Sequence, residues 1–152
     1  AKGTTIYNEG EATAISSSNV VKLNLIGGPK TTIAPLLSKL SASEINPLLL
    51  TKASSHDISL TVKENEAEIA QRAIREINGI DLTVEKGISL VTAIGSQVQE
   101  KEIGFVTDLL LKKGIAIKTI EQSASRKNLC IVVKEENVQI ATQALHDLFI
   151  GS

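Results

Sequence analysis

Residues 62–74 of the chain read VKENEAEIAQRAI, and residues 133–145 read VKEENVQIATQAL. The two segments align without a gap, Val62 with Val133, and six of the thirteen aligned pairs are identical. An internal repeat with so long a period indicates two copies of one small domain rather than a solenoid of short units.

The composition is that of an ordinary globular protein. The 152 residues suffice for two domains of about 70 residues each, at the small end of the usual range. Domains of that size bury little apolar surface alone, so we expect them to pack on each other or on a second chain. Apolar residues make up 42% of the sequence, which argues against disorder.

Charge and aromatic content argue against nucleic acid and membrane as partners. The 16 basic and 17 acidic residues are well mixed and give a net charge of -1, so no basic surface for nucleic acid or anionic lipid is expected. Two Phe and one Tyr, with no aromatic residue in the inner strands, provide no platform for base stacking.

The sequence also bears on the compartment. Cys130 is the only cysteine and cannot form an internal disulfide. No apolar run approaches the ~20 residues that span a bilayer, and the N-terminus lacks the pattern of a signal peptide. We therefore expect a cytoplasmic protein. The chain contains no Met, even at its first position, so we expect a fragment or a processed piece.

Apolar periodicity and turn residues predict the same order of elements in both copies. In the first copy, strand, helix, strand, strand, helix and strand are predicted at residues 21–25, 33–40, 48–51, 58–62, 69–77 and 81–84. In the second copy, strand, helix, strand, strand and helix are predicted at residues 88–95, 103–113, 115–120, 129–133 and 140–148.

This order predicts an α+β fold of two ferredoxin-like βαββαβ domains, with antiparallel sheets and helices packed on one face. The second copy ends after its last helix without a fourth strand. Thr4–Tyr7 is the one unassigned strand-like segment, so we infer that the N-terminus crosses over to complete the second domain. The predicted domains are residues 16–85, as an insertion, and residues 1–10 with 86–152.

The residues that could suggest a catalytic site are interpreted as structural residues. Ser54 to Asp57 contain the letters of a hydrolase triad, but adjacent residues do not take up triad geometry, and a polar hairpin turn is predicted. His146 is interpreted as a solvated surface residue and Cys130 as a structural one. Two His and one Cys so far apart form no metal cluster.

The glycine-rich segment from Gly27 to Thr32 resembles a phosphate-binding loop only superficially. It lacks the spacer and the Gly-Lys-Ser/Thr ending of a P-loop, so it is predicted to be a strand-to-helix turn. Free main-chain N–H groups at a helix N-terminus nevertheless favour an anionic group such as an amino-acid carboxylate. The equivalent segment of the second copy is Ser96 to Gly104.

The tandem arrangement resembles the regulatory half of aspartokinases, where the two units are ACT domains. Gly3–Ile6 is similar to the stretch where the kinase domain hands over to the regulatory part. Leu90–Gly95 and Gly104–Val106 look like the first strand and the helix opening of the second ACT domain. Glu121–Val133 and Ala144–Phe149 resemble its hairpin and its Leu-His-x-x-Phe ending. The lysine-sensitive monofunctional type is the most similar.

The resemblance implies that the intact protein phosphorylates the side-chain carboxylate of aspartate with ATP and Mg, as an aspartate kinase. It also implies that the kinase domain precedes Ala1 and that this chain holds no catalytic site and no cofactor. The pathway implied is the biosynthesis of lysine and the other aspartate-family amino acids.

The resemblance further implies an effector site and a homodimer through the ACT domains. In the family, lysine or threonine binds between chains, and its charged groups meet main-chain groups of the strand-to-helix loop and the next strand. Carried over to this sequence, the effector-binding residues are Gly28, Lys30, Thr31, Thr32, Leu48, Leu49, Ser96, Gln97, Gly104, Gln122 and Asn128.

The first copy departs from the family pattern. Its loop is shorter, Thr32 stands where the family has a glycine, and Leu49 stands where the family places an aspartate facing the ligand ammonium. A charge-assisted hydrogen bond is worth roughly 1.5–3 kcal/mol. We therefore predict weak or absent lysine binding at this copy. The alternatives are that it binds a different effector, binds in a different pose, or binds no ligand.

The interpretation adopted is an allosteric amino-acid sensor and dimerisation module of an aspartokinase. Two alternatives remain at this point. One is a structural dimerisation module that has lost its ligand, and the other is a stand-alone ACT sensor without a kinase.

Overall fold

The structure of the chain is a computed structural model. It describes residues 4–8, 13–27, 33–54, 57–77, 79–95, 98, 103–122 and 127–150. The chain divides into two compact units, residues 20–87 and residues 1–19 with 88–152.

The unit of residues 20–87 has the order strand, helix, two strands, helix, strand. Its elements are the second part of β2 (Thr13–Gly27), α1 (Ile33–Ala42), β3 (Leu49–Ser54), β4 (Asp57–Lys63), α2 (Ala67–Arg75) and the first part of β5 (Ile80–Ile94). The strands lie in the order β3-β4-β2-β5, with β4 antiparallel to both β2 and β3. This is the strand order of a ferredoxin-like domain, with the first and third strands in the middle.

The other unit repeats that order. The second part of β5 is followed by α3 (Ile103–Lys112), β6 (Ile117–Gln122), β7 (Asn128–Lys134) and α4 (Val138–Phe149), and β7 lies between β5 and β6. The repeat in the sequence is also a repeat in structure. In the alignment of Val62 with Val133, the first residues of β4 and β7, Asp57 and Asn128, coincide. The first residues of α2 and α4, Ala67 and Val138, coincide as well.

In the unit of residues 1–19 and 88–152, the N-terminal strands differ from the prediction in their extent. Thr4–Asn8 forms β1, which pairs with residues 13–17 of β2. The first strand, predicted at residues 21–25, therefore extends back to Thr13. Ile15 of this extension is fully buried in the core of the unit. The Ala-Thr-Ala and Ser-Ser-Ser stretches around it lack the apolar alternation by which a strand is recognised.

Each unit has its own core, between one face of the strands and the two helices. In residues 20–87 the core consists of alternate residues of β2 and β4 together with the inner faces of α1 and α2, namely Val21, Leu23, Leu25, Leu36, Leu40, Ile45, Ile58, Leu60, Val62, Ala67, Ala70, Ala73 and Ile74. The other core uses the same positions and includes Val91, Leu129, Ile131, Val106, Leu110, Ala141 and Leu145. Strand residues alternate between faces, so the helices cover one face only. The α+β, ferredoxin-like fold is confirmed.

None of the helices in these described ranges combines the length and the apolar character that crossing a membrane requires.

Candidate functional site

In the second copy, the predicted effector residues that can be described meet at one end of the strands. The main-chain N–H of Gly95, just after β5, donates to the carbonyl oxygen of Lys127 at 2.9 Å. Asn128 is the register partner of Ile94, and Gln122 is the register partner of Leu129. Asn128 and Gln122 therefore lie beside the point where the chain leaves β5 toward α3.

Gly104 is the second residue of α3, whose first turn lies at the same end because the helix runs back along the strands. A Cβ added to Gly104 would meet no heavy atom of the described residues within 4 Å. Packing against the described residues therefore does not require glycine here. The open space is where a small ligand could approach the first turn of the helix, whose free N–H groups favour a carboxylate.

In the first copy, the corresponding end is formed around Gly27, the last residue of β2. Its φ is +88°, and an added Cβ would lie 3.0 Å from the carbonyl oxygen of Gly79. Both the left-handed backbone and the close approach restrict this position to glycine. The close approach to the Gly79 carbonyl therefore fixes the residue type at the end of β2.

Leu48 and Leu49 lie away from that end. The N–H of Leu48 donates to the carbonyl oxygen of Thr61 at 2.7 Å, and Leu49 is the register partner of Thr61. Thr61 in turn pairs with Lys22, which precedes Gly27 by five positions in β2. At ~3.3 Å per strand residue, Leu49 stands about 16 Å along the strand from Gly27. The described residues of the first copy therefore do not bring Leu48 and Leu49 together with the glycine turn.

Six of the predicted effector residues lie outside the described ranges, and their role stays a prediction. They are Gly28, Lys30, Thr31, Thr32, Ser96 and Gln97. Ser55 and His56 of the Ser54–Asp57 segment also lie outside them. Ser54 ends β3 and Asp57 begins β4, as a hairpin requires.

Two cavities among the described residues are grooves along the second helix of each unit. One is lined by charged residues of α2 and β5, including Glu68, Arg75 and Lys86, and has a volume of about 600 Å³. The other has about 550 Å³ and is lined by α4 residues such as Thr142, Gln143 and Asp147, with Lys113. Neither contains a predicted effector residue.

A third cleft of about 360 Å³ lies at the end of β2 and the start of β4. Asn24, Ile26, Asp57, Ser59 and Thr83 are among its lining residues. The sequence does not indicate that these residues line a common cleft. In particular, Asp57 has the appearance of an ordinary turn residue. The alignment of the two copies could have singled it out, since Asp57 corresponds to the neutral Asn128.

Cys130, a potential nucleophile, and His146 do not form a catalytic group. Burial raises the pKa of the half-buried Cys130 thiol, the contact with Thr92 lowers it, and Glu121 raises it. A thiol with a raised pKa is protonated at neutral pH and is a poor nucleophile. His146 is half-buried rather than solvated, and its Nδ1 lies 3.7 Å from Oδ1 of Asp147. No group of three metal-binding side chains occurs among the described residues.

A comparison with known families finds a match within the second copy. Residues 104–149 match the model of the ACT domain family, a segment that begins at Gly104 and includes Gln122 and Asn128.

The fold is shared with aspartate kinases. The chain is similar to the ligand-free regulatory subunit of aspartate kinase from Thermus thermophilus, with 20% identity, a TM-score of 0.73, and coverage of 89% of this chain and 96% of that one. It is also similar to aspartate kinase from Synechocystis, with 19% identity, a TM-score of 0.74, and coverage of 89% and 26%.

A third similar structure is E. coli aspartokinase III in complex with lysine and aspartate, in the T-state. The identity is 22%, the TM-score is 0.68, and the match covers 90% of this chain and 32% of that one. The chain thus spans nearly the whole Thermus thermophilus subunit but about a third or less of the other two chains.

Proposed function

We propose that the chain is the regulatory region of an aspartokinase, which binds an amino acid and controls an attached kinase domain. The observation that carries the proposal is the ACT match at residues 104–149, within a chain that shares its fold with an aspartate kinase regulatory subunit over 89% of its length.

The proposal includes two ACT domains in tandem, at residues 16–85 and at residues 1–10 with 86–152. Its support is the alignment of Val62 with Val133, in which helix coincides with helix and strand with strand. Because residues 104–149 match the ACT model, we infer that the structurally equivalent elements of the first copy form the other ACT domain.

The effector we propose is lysine or threonine, and the type we propose is the lysine-sensitive monofunctional one. E. coli aspartokinase III, which shares the fold, has been seen in complex with lysine. The site is the end of the strands in each copy, and it comprises the loop residues after Gly27 and Gly95 with Gly104, Gln122 and Asn128. Leu48 and Leu49 of the first copy lie apart from that end.

Control of the kinase follows from differential binding. An effector that binds one arrangement of paired ACT domains more tightly shifts the population toward it and so biases the attached enzyme. ATP, Mg and aspartate belong to the kinase domain, and we place the whole protein in the cytoplasm and in the lysine branch of amino-acid biosynthesis.

We also propose dimerisation through the ACT domains. Val132 on the second face of β7 is already buried within the chain, at 1% exposure, against its register partner Leu90. Large apolar side chains remain exposed on α3, where Phe105 and Leu111 are 54% and 55% exposed, and on other elements, at Ile26, Ile69, Ile94 and Ile140 among others. Exposed apolar groups of this kind mark interaction surfaces when they are contiguous.

The experiment that tests the function is calorimetry of the chain with lysine, threonine and, as a control, aspartate, together with sedimentation at several concentrations. Saturable binding of lysine or threonine but not aspartate is expected. A dimer that binds neither amino acid would identify a structural module without a ligand. A monomer that binds neither lysine nor threonine would refute the proposal.

A further inference from the structure

The sheet of the unit of residues 20–87 has an open edge at β5. The strands of this unit lie in the order β3-β4-β2-β5, and β7 pairs with β5 only from Ile88 onward. Residues 80–86, the β5 edge, therefore have a strand on one side only among the described residues. Such an edge presents unpaired main-chain N–H and C=O groups with which another strand can pair.

The other unit shows how an edge in the same place is closed. Its outer strand is the extension of β2, and β1 pairs with residues 13–17 of that extension. Ile15 of the extension is 0% exposed. On the β5 edge, Ile80, Leu82 and Val84 also pack on the core of their unit, but they are only partly buried. The β5 edge thus leaves a row of apolar side chains incompletely covered.

A groove of about 600 Å³ runs between the β5 edge and α2. The α2 side of the groove includes Glu68, Gln71 and Arg75, whose spacing of three and four residues places them in one row along the helix. Glu68 lies in the first turn, Gln71 in the middle and Arg75 at the end. Glu68 pairs with Arg72 at 2.9 Å, whereas Arg75 makes no ion pair within the described ranges.

This row of charges is complementary to itself when two helices lie antiparallel. A twofold interface joins the same surface of two chains. An axis that sets one β5 edge antiparallel to another also reverses α2, because both elements belong to one compact unit. Glu68 of each chain then faces Arg75 of the other, with Gln71 close to the midpoint. Two ion pairs of opposite charge result.

The strand sequence favours one register of such a pair. Pairing centred on Thr83 would set Asp81 opposite Glu85 of the second copy, and like charges directly opposite each other are destabilising. Pairing centred on Leu82 sets Asp81 opposite the neutral Thr83 instead. It also brings the two apolar rows together on the helix side, so that each covers the other.

We propose that the β5 edge pairs antiparallel with the β5 edge of a second copy of this chain, centred on Leu82, and that Glu68 and Arg75 of the two α2 helices form ion pairs across the axis. The contact goes beyond the proposed function, because it requires no bound amino acid and involves neither α3 nor the residues assigned to the effector. It lies at the opposite edge of the unit's sheet from β3.

Cross-linking at the strand tests the contact. In the whole chain with Cys130→Ser, the substitution Thr83→Cys places a thiol at an exposed position of the β5 edge. In the proposed register the two thiols are diagonal neighbours, with Cα atoms about 7–8 Å apart, so a short bismaleimide should link two chains. Ser41→Cys, at an exposed position of α1, should not be linked beyond random encounters. Equal linking at the two positions would refute the contact.

Charge reversal tests the facing helices. Arg75→Glu and Glu68→Arg each turn two attractive pairs into repulsive ones, and each should lower the linked fraction about fivefold. Mixing the two variants restores opposite charges at both pairs and should restore linking between unlike chains. Lys112→Glu makes the same change in net charge at an exposed position of α3 and should have no effect. Loss of linking in the mixture as well would refute the ion pairs, and circular dichroism establishes that each variant is folded.

The outcomes separate this contact from the proposed function. Calorimetry should show that Arg75→Glu binds lysine or threonine as the unchanged chain does, because no residue assigned to the effector is altered. If the chain binds an amino acid and Thr83→Cys is not linked, the contact is refuted and the sensor function stands. If linking follows the charge pattern and no amino acid binds, the contact stands and the sensor function falls. A dimer in sedimentation without linking at Thr83→Cys would refute the contact and place the interface on another surface.

Discussion

The hydroxyl of Ser89 donates to Oδ1 of Asn19 at 2.7 Å, although the two residues are 70 positions apart in the sequence. Ser89 is fully buried, and the Asn19 amide continues the connection by donating to Oε1 of Glu135 at the same distance of 2.7 Å. All three residues belong to the unit of residues 1–19 and 88–152. The network holds the β2 extension against β5 and the turn before α4.

Ser89→Ala should therefore destabilise this unit. The variant leaves Oδ1 of Asn19 without its buried donor, which costs about 1–3 kcal/mol. Urea unfolding followed by circular dichroism measures the loss. Ser41→Ala, at an exposed position of α1, is the control and should change stability by less than about 0.5 kcal/mol. Equal effects of the two variants would show that the buried hydrogen bond contributes nothing.

Gly27→Ala should cost more than Gly87→Ala. Both glycines have positive φ, +88° and +72°, so each substitution carries the left-handed backbone penalty of about 1–2 kcal/mol. Only at Gly27 would the new Cβ also meet the carbonyl oxygen of Gly79, at 3.0 Å, whereas nothing among the described residues lies within 4 Å at Gly87. The difference between the two melting temperatures measures the contact alone, and no difference would mean that the contact relaxes freely.

Gly104→Ala should separate binding from folding. The added methyl has open space, and alanine in place of a helical glycine stabilises by about 0.5–1 kcal/mol. If the effector's carboxylate approaches the first turn of α3, the same methyl obstructs it. We expect an unchanged or higher melting temperature together with weaker amino-acid binding in calorimetry. Unchanged binding would place the effector elsewhere.

Cys130 should react slowly with thiol reagents at neutral pH. Burial raises its pKa, so the reactive thiolate forms at a higher pH than in an exposed cysteine, whose pKa is about 8.5. Thr92→Val removes the contact that lowers the pKa and should shift the labelling profile further upward. Rates measured between pH 7 and 10 test both statements, and a profile like that of free cysteine would contradict them.

The same raised pKa predicts a loss of stability in alkali. Above the pKa of the unfolded thiol, the unfolded chain releases a proton that the folded chain retains, so the free energy of unfolding falls as pH rises. Below that pKa both states hold the proton and the contribution is fully present. Cys130→Ser should reduce this dependence in urea unfolding at pH 7 and pH 10.

Much of the fold can be predicted because the chain carries its pattern twice. Apolar spacing alone indicates the helices that contain Ile69 and Ile140 and the strands around Leu60 and Ile131, and the repeat aligns them. Residues 13–19 are not predicted as a strand, because their Ser and Thr side chains give no alternation. That strand forms through its partners β1 and β5, which are tertiary neighbours and leave no local pattern.

The candidate site is less predictable for a related reason. Gln122, Asn128 and Gly104 lie at one end of the strands because a hairpin and a strand-to-helix turn fall at the same end of a βαββ unit. Leu48 and Leu49 are assigned by position in a family pattern, and the strand register places them well away from the turn. Asp57 has the appearance of an ordinary turn residue because the cleft around it is assembled from three strands.

The strands β2 and β5 each contribute residues to both units, with the divisions at residues 19/20 and 87/88. This has a consequence for the order of events on the ribosome. Residues 20–87 form a complete βαββαβ unit as soon as they leave the exit tunnel. The residues before them must wait while that whole unit and the segment from Ile88 to Phe149 are made, which takes several seconds at usual rates of synthesis. During that interval the N-terminal strands lack their partner in the second part of β5, and an unpaired strand edge is prone to association with other chains.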